Sequence, residues 1–156
     1  MAGMDASNRW HRENGAKTGK GVGPLYGRLS DLSVAHDDQF IEILPSLTIA
    51  ATAMPALAVF EWIRVAPGGR GRYQQILEEN AVPWERDQPI IKGSRTGRVL
   101  VGDGWDYGRL VGFESLADFH AARSRVRAQP FFGELDALVA ARRTIVVSGV
   151  PELSIR

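Results

Sequence analysis

The 156-residue chain contains no cysteine, which removes disulfides, thiolate metal sites and a cysteine nucleophile together. The same absence fits a reducing compartment, and the expected location is cytoplasmic. Histidine is scarce. Of three, only His120 follows residue 53, so a site of several histidines is excluded from that part of the chain. No helical Glu-x-x-His pair supports a carboxylate-bridged metal, and no metal or cofactor is expected. Excess charge is lacking too: Lys and Arg number 19 against 18 Asp and Glu, which argues against a strong polyanion binder. No nucleic-acid partner is expected. The longest apolar run, residues 40–60, is broken by Glu42, Pro45 and Pro55. A spanning helix needs roughly 20 consecutive apolar residues. A secretory core would stand near the N-terminus behind positive charge, whereas here Asp37-Asp38 precedes it. No membrane partner is expected, and the run stays open between a strand and a processed segment.

The length suits one domain with one core. Residues 1–34 scatter Gly15, Gly19, Gly21, Gly23 and Gly27 among polar residues with no apolar period. Lys17-Thr18-Gly19-Lys20-Gly21 lacks the spacing of a phosphate loop. Residues 1–53 are therefore expected to be an extension, poorly ordered or loosely docked, and 54–156 the folded domain. Met54 opens a phrase, MPALAVFEWIRVAPG, that suits the start of such a domain, so what precedes it reads as dispensable or as an upstream misread start.

From Ala58, AVFEWIRV alternates, with Val59, Glu61, Ile63 and Val65 on one face and Phe60, Trp62 and Arg64 on the other. Gly71 to Ala81 predicts a helix with Tyr73, Ile76 and Leu77 on its buried stripe, and Pro83 stops it or begins a short further turn through Trp84-Glu85-Arg86. Arg98 to Val101 and Tyr107 to Phe113 flank Gly102-Asp103-Gly104-Trp105-Asp106, the pattern of a hairpin. Ser115 predicts an N-cap with Asp118 three residues on. Pro130 starts a continuation whose stripe includes Leu135, Leu138 and Val139, with Arg142-Arg143 at its C-terminal dipole. Thr144 to Val150 is the last strand.

Strand, helix, two strands, helix, strand is the α+β, ferredoxin-like βαββαβ order: helices on one side of an antiparallel sheet. The other face, to which Trp62, Phe60, Tyr107 and Phe113 are assigned, is too apolar to leave in water. Two such sheets packed face to face in a homodimer would form a dimeric α/β barrel.

The phrases VFEWIRVAPG, GRLVGFESLADFHAAR and QPFFGELDALV, over about Ala58 to Val150, resemble the NIPSNAP family within the dimeric α/β-barrel superfamily. In that family a phrase similar to GFESLADF follows an aromatic-rich strand, and an aromatic pair similar to Phe131-Phe132 opens the last helix. The resemblance implies the fold and the dimer but no defined biochemical role. Related barrels include cofactor-independent monooxygenases, haem-degrading enzymes and stress or carrier proteins.

Trp62, Arg64, Trp105, Tyr107 and Arg109 form the candidate ligand-binding set, on neighbouring strands suited to a small planar or anionic molecule. The competing account makes the aromatics core and interface, with the arginines paired to Glu61, Asp103 or Asp106. Candidate catalytic residues are His120 and Tyr107, for a monooxygenase-like enzyme acting on a small aromatic substrate with Arg64 or Arg109 stabilising an anion. A non-enzymatic interaction or stress-related module with a filled interior is the third alternative. Arg123, Arg125 and Arg127 read as a solvated helix face.

Overall fold

A computed structural model describes residues 39–51, 55–102 and 104–148. The expectations placed on residues 1–38, Met54, Asp103 and 149–156 lie outside the described residues. Five strands, β1 (Phe40–Ile49), β2 (Leu57–Val65), β3 (Gly93–Val101), β4 (Tyr107–Phe113) and β5 (Val139–Ser148), form one antiparallel sheet in the order β1-β3-β4-β2-β5. The last four are the expected ferredoxin-like unit. β1 is an addition at its edge, and the compact unit begins at Gln39. Pro45 is tolerated there because it falls between the paired positions Ile43 and Thr48, where the register shifts, and on an edge strand.

Glycine makes room for this extra strand. A Cβ built on Gly97 would sit 2.2 Å from Ile41 Cγ2 and 2.9 Å from the Glu42 carbonyl oxygen. Gly97 faces Gly108 across the β3–β4 ladder, and a Cβ on Gly108 would meet Ile41 Cδ1 at 3.1 Å. Pro55 similarly fills the space over Gly112. The room left by the β4 glycines is thus taken by the segment preceding β2. Leu47, fully buried, carries that segment into the core beside Ile63, Tyr73 and Ile76.

Helix α1 (Arg70–Ile76) passes through a π-helical turn, Leu77–Ala81, into α2 (Val82–Arg86). In a regular α-helix the Pro83 ring would clash with the carbonyl four residues back, at Glu79. That carbonyl lies inside the wider π turn, so the helix runs on through Pro83 into the further turn over Trp84-Glu85-Arg86, one of the two expected outcomes. Helix α3 (Leu116–Arg127) starts as expected: the Ser115 hydroxyl accepts from the Asp118 amide at 3.1 Å and donates to the Asp118 carboxylate at 2.8 Å. Helix α4 (Pro130–Ala137) ends sooner than its apolar stripe implied. β5 begins at Val139, because β2 supplies a ladder partner for each residue from Val139 on, apart from a register shift. Arg142 and Arg143 therefore stand on a strand and not at a helix C-terminus.

Register settles the two faces. Ile63 lies opposite Tyr107, Glu61 opposite Arg109 and Val59 opposite Val111, so these share the face under the helices. Trp62 lies opposite Gly108 and Phe60 opposite Leu110, on the other face. Tyr107 and Phe113 are buried beneath the helices, contrary to their assignment to the uncovered face. That face instead carries Ile43, Phe60, Trp62, Leu110, Ile145 and Val147, with Leu110 38% and Val147 50% exposed.

Opposite outcomes are expected at two glycines. Gly97→Ala forces a clash with backbone and Ile41, destabilising the fold by about 1–3 kcal/mol, and Ile41→Ala in the same chain recovers part of that loss. Gly71→Ala meets nothing within 4 Å and sits in α1, so it stabilises by up to about 1 kcal/mol. Urea midpoints of the three variants against the unsubstituted chain check both signs.

Candidate functional site

Between the helices and the sheet lies a cavity of about 120 Å³. Its floor is Val59, Glu61, Arg109, Val111 and Phe113 of β2 and β4. Tyr73, Ala81, Trp84 and Glu85 close one side, and Phe119, Ala122, Arg123, Val126 and Arg127 of α3 the other. The walls are mostly apolar with a few convergent charges, the usual composition of a ligand site.

Arg109 and Glu85 are its polar centre. Arg109 Nη2 donates to Glu85 Oε1 in a close charge-assisted bond, and both side chains are nearly buried. Glu85 Oε2 accepts from the Ser94 hydroxyl at 3.2 Å. Burial works to lower the Arg109 pKa, but the carboxylate of Glu85 more than offsets it and holds the guanidinium above its ordinary value. Arg109 Nε and Thr96 Oγ1, on facing residues of β4 and β3, are buried without a hydrogen-bond partner. Leaving each unmet costs about 1–3 kcal/mol. Glu85 stands one helical turn beyond the π turn, a distortion that recurs at functional sites.

The remaining charges are outside this pair. Glu61 accepts from the Thr144 hydroxyl at 3.5 Å and lies 4.0 Å from Arg142 Nε. Tyr73 is buried against Tyr107, ring centroids 5.2 Å apart, and burial pushes its phenol well above 10.0. Tyr107 is raised as well, chiefly by burial, and its hydroxyl donates to the Arg70 carbonyl at 3.4 Å.

The sheet divides the expected ligand-binding set. Arg109 lines the cavity, and Tyr107 packs behind it without lining it. Trp62 is on the opposite face, edge-on to Phe60 at 4.6 Å. Arg64 and Trp105 do come together, the guanidinium carbon 5.2 Å from the indole centre, while Arg64 Nε donates to the Gly104 carbonyl at 2.7 Å. They brace the hairpin connection. His120 is exposed, its ring tilted against Phe119, and absent from the cavity wall, because α3 turns Phe119 and Ala122 inward instead. Asp106 is a clamp: its carboxylate accepts from the Val65 amide at 2.7 Å and pairs with Arg70, so the turn, β2 and α1 are tied at one point.

Sequence reasoning passed over Glu85, which it placed in a minor helical turn, and Arg123, Arg127 and Arg142. A signal for Glu85 was present in its setting: a carboxylate directly after Val82-Pro83-Trp84. Nothing local marks it as the partner of a residue 24 positions away.

No protein-family model matches the chain, and no curated protein matches it. Solved structures do. A NIPSNAP family protein from Agrobacterium tumefaciens superposes with a TM-score of 0.53 at 15% identity, over 66% of this chain and 93% of that one. A heme-degrading enzyme from Listeria monocytogenes gives 0.53 at 11% identity, over 72% of its own chain and 73% of this one. A putative monooxygenase from Fusobacterium nucleatum gives 0.53 at 11%, over 72% of this chain and half of that one. At these identities the likeness defines the class by fold: a ferredoxin-like α+β domain. Within that class the NIPSNAP protein is a neighbour whose name agrees with the resemblance carried by VFEWIRVAPG and GFESLADF.

Two measurements follow from the site. Glu85→Ala strands a buried guanidinium and costs about 3–5 kcal/mol, whereas Glu85→Leu with Arg109→Leu restores most of that loss; chemical denaturation of the single and double variants checks it. The folded-state pKa of Tyr73 is raised, so its contribution is complete below about pH 10 and falls by up to about 1.4 kcal/mol per pH unit above it, where only the unfolded chain ionises. Tyr73→Phe should flatten that alkaline limb in urea titrations between pH 9 and 11, values set on the order of the ordinary tyrosine pKa.

Proposed function

We propose that the chain is a NIPSNAP-like, homodimeric small-molecule-binding protein whose site is the cavity between the helix layer and the sheet. The observation that carries this reading is a mostly apolar cavity of about 120 Å³ against the buried Arg109–Glu85 pair. Well-packed interiors keep few voids of this size, and an apolar cavity of ~150 Å³ is enough to take up benzene. Of the residues expected to hold ligand, Arg109 keeps that role, with Tyr107 supporting Tyr73 from behind. A catalytic role for His120 or Tyr107 has no support in the cavity wall, which contains neither.

The dimer is proposed through the face opposite the helices. Phe60, Trp62, Leu110, Ile145 and Val147 form a continuous apolar surface there, and a second copy of the same face removes it from water. Among the described residues no helix is long and apolar enough to cross a membrane. Cytoplasmic placement is part of the proposal, supported by the absence of cysteine.

Light scattering on the full chain at micromolar concentration is expected to give twice the chain mass. Leu110→Asp with Ile145→Asp should give a monomer with an unchanged far-ultraviolet circular dichroism spectrum. A monomeric unsubstituted chain would refute the assembly. For the cavity, Ala122→Phe should fill the space and abolish the uptake of small aromatic compounds, followed by protein-observed NMR titration.

A further inference from the structure

The charges around the cavity do not balance, and the imbalance lies at one edge. Arg109, Arg123, Arg127 and Arg142 line it, against Glu61 and Glu85. Glu85 is engaged by Arg109 and Ser94. Arg142 is shared between Glu61 and Asp136, the latter at 3.3 Å. Arg123 and Arg127 have no carboxylate within ion-pair distance among the described residues. They stand one helical turn apart on α3, next to the inward-facing pair Ala122 and Val126, and are exposed at the cavity's edge.

We infer that the cavity takes a compact organic anion with a single-ring apolar body, its carboxylate-like group held at the mouth by Arg123 and Arg127. This rests on the cavity-binding reading above and adds the charge and size of the ligand. Two adjacent guanidinium groups suit one planar anion, because each offers paired N–H donors in the geometry of a carboxylate. Low-dielectric walls strengthen their field inside the cavity and oppose entry of a cation. The apolar side chains Val59, Val111, Phe113 and Phe119 line a space of about 120 Å³, the scale of a single ring. Arg125 provides the internal comparison: it is exposed on the same helix and does not line the cavity.

Isothermal titration of the full chain with benzoate, benzamide and benzamidine tests the charge with the ring held constant, and inorganic phosphate tests the anion without the ring. Benzoate is expected to bind at least about ten-fold more tightly than benzamide, with benzamidine and phosphate weaker still. Arg123→Gln with Arg127→Gln should remove the preference for benzoate and leave benzamide binding in place. Arg125→Gln should change neither. If benzamide binds as well as benzoate, the anion inference falls while the cavity reading stands. If none of the ring compounds binds, both fall. If phosphate matches benzoate, or Arg125→Gln weakens benzoate as much as the paired substitution does, the helix surface and not the cavity is the attractor and the inference is overturned.

Discussion

Everything on the helix side of the sheet is arranged about one buried contact between Arg109 of β4 and Glu85 of α2. Removing two such charges from water costs several kcal/mol for each, and the cost is offset only while they face one another with Ser94 completing the carboxylate. That requirement sets the position of α2 over β3 and β4 more narrowly than apolar packing would, since apolar contact tolerates sliding and a charge-assisted bond does not. The π turn is the local means by which the helix meets it. Five residues of wider helix make room for Pro83, and the α-helical turn that follows delivers Glu85 to the sheet. The cavity lies beside the pair, where the walls cannot close without pressing apolar groups against guanidinium and carboxylate.

Much of the fold was legible because its signals are local. The alternation in AVFEWIRV assigned the two sides of β2 correctly, and the Ser115 cap could be placed because donor and acceptor are three residues apart. What failed was non-local. Alternation sorts side chains within a strand, but it cannot say which side of one strand matches which side of its neighbour, and a slip of one residue exchanges the faces. Trp62 and Tyr107 were joined for that reason, and the register separates them. Arg142 and Arg143 read as a helix end until β2 is seen to pair with them. Of the site, Arg109 was legible as a strand cation; its partner Glu85 was not, since nothing near Glu85 in the chain displays the contact.

The sheet separates two kinds of surface. Beneath the helices are the cavity, the buried ion pair and the arginines of α3; on the other side is an apolar face that the proposed dimer would cover. A fold that keeps these apart can alter one without disturbing the other. This separation is in keeping with neighbours as different in name as a NIPSNAP family protein and a heme-degrading enzyme.

The close approach of Ile41 to Gly97 has a consequence for how this chain can vary. Neither position can enlarge while the other stays as it is, since a single added carbon at 97 already falls within 2.2 Å of the isoleucine. The two behave as one unit of inheritance: glycine at 97 records the isoleucine of the edge strand, and a bulkier residue there, in any descendant of this sequence, would mark a sheet in which residue 41 had shrunk or the strand had moved aside.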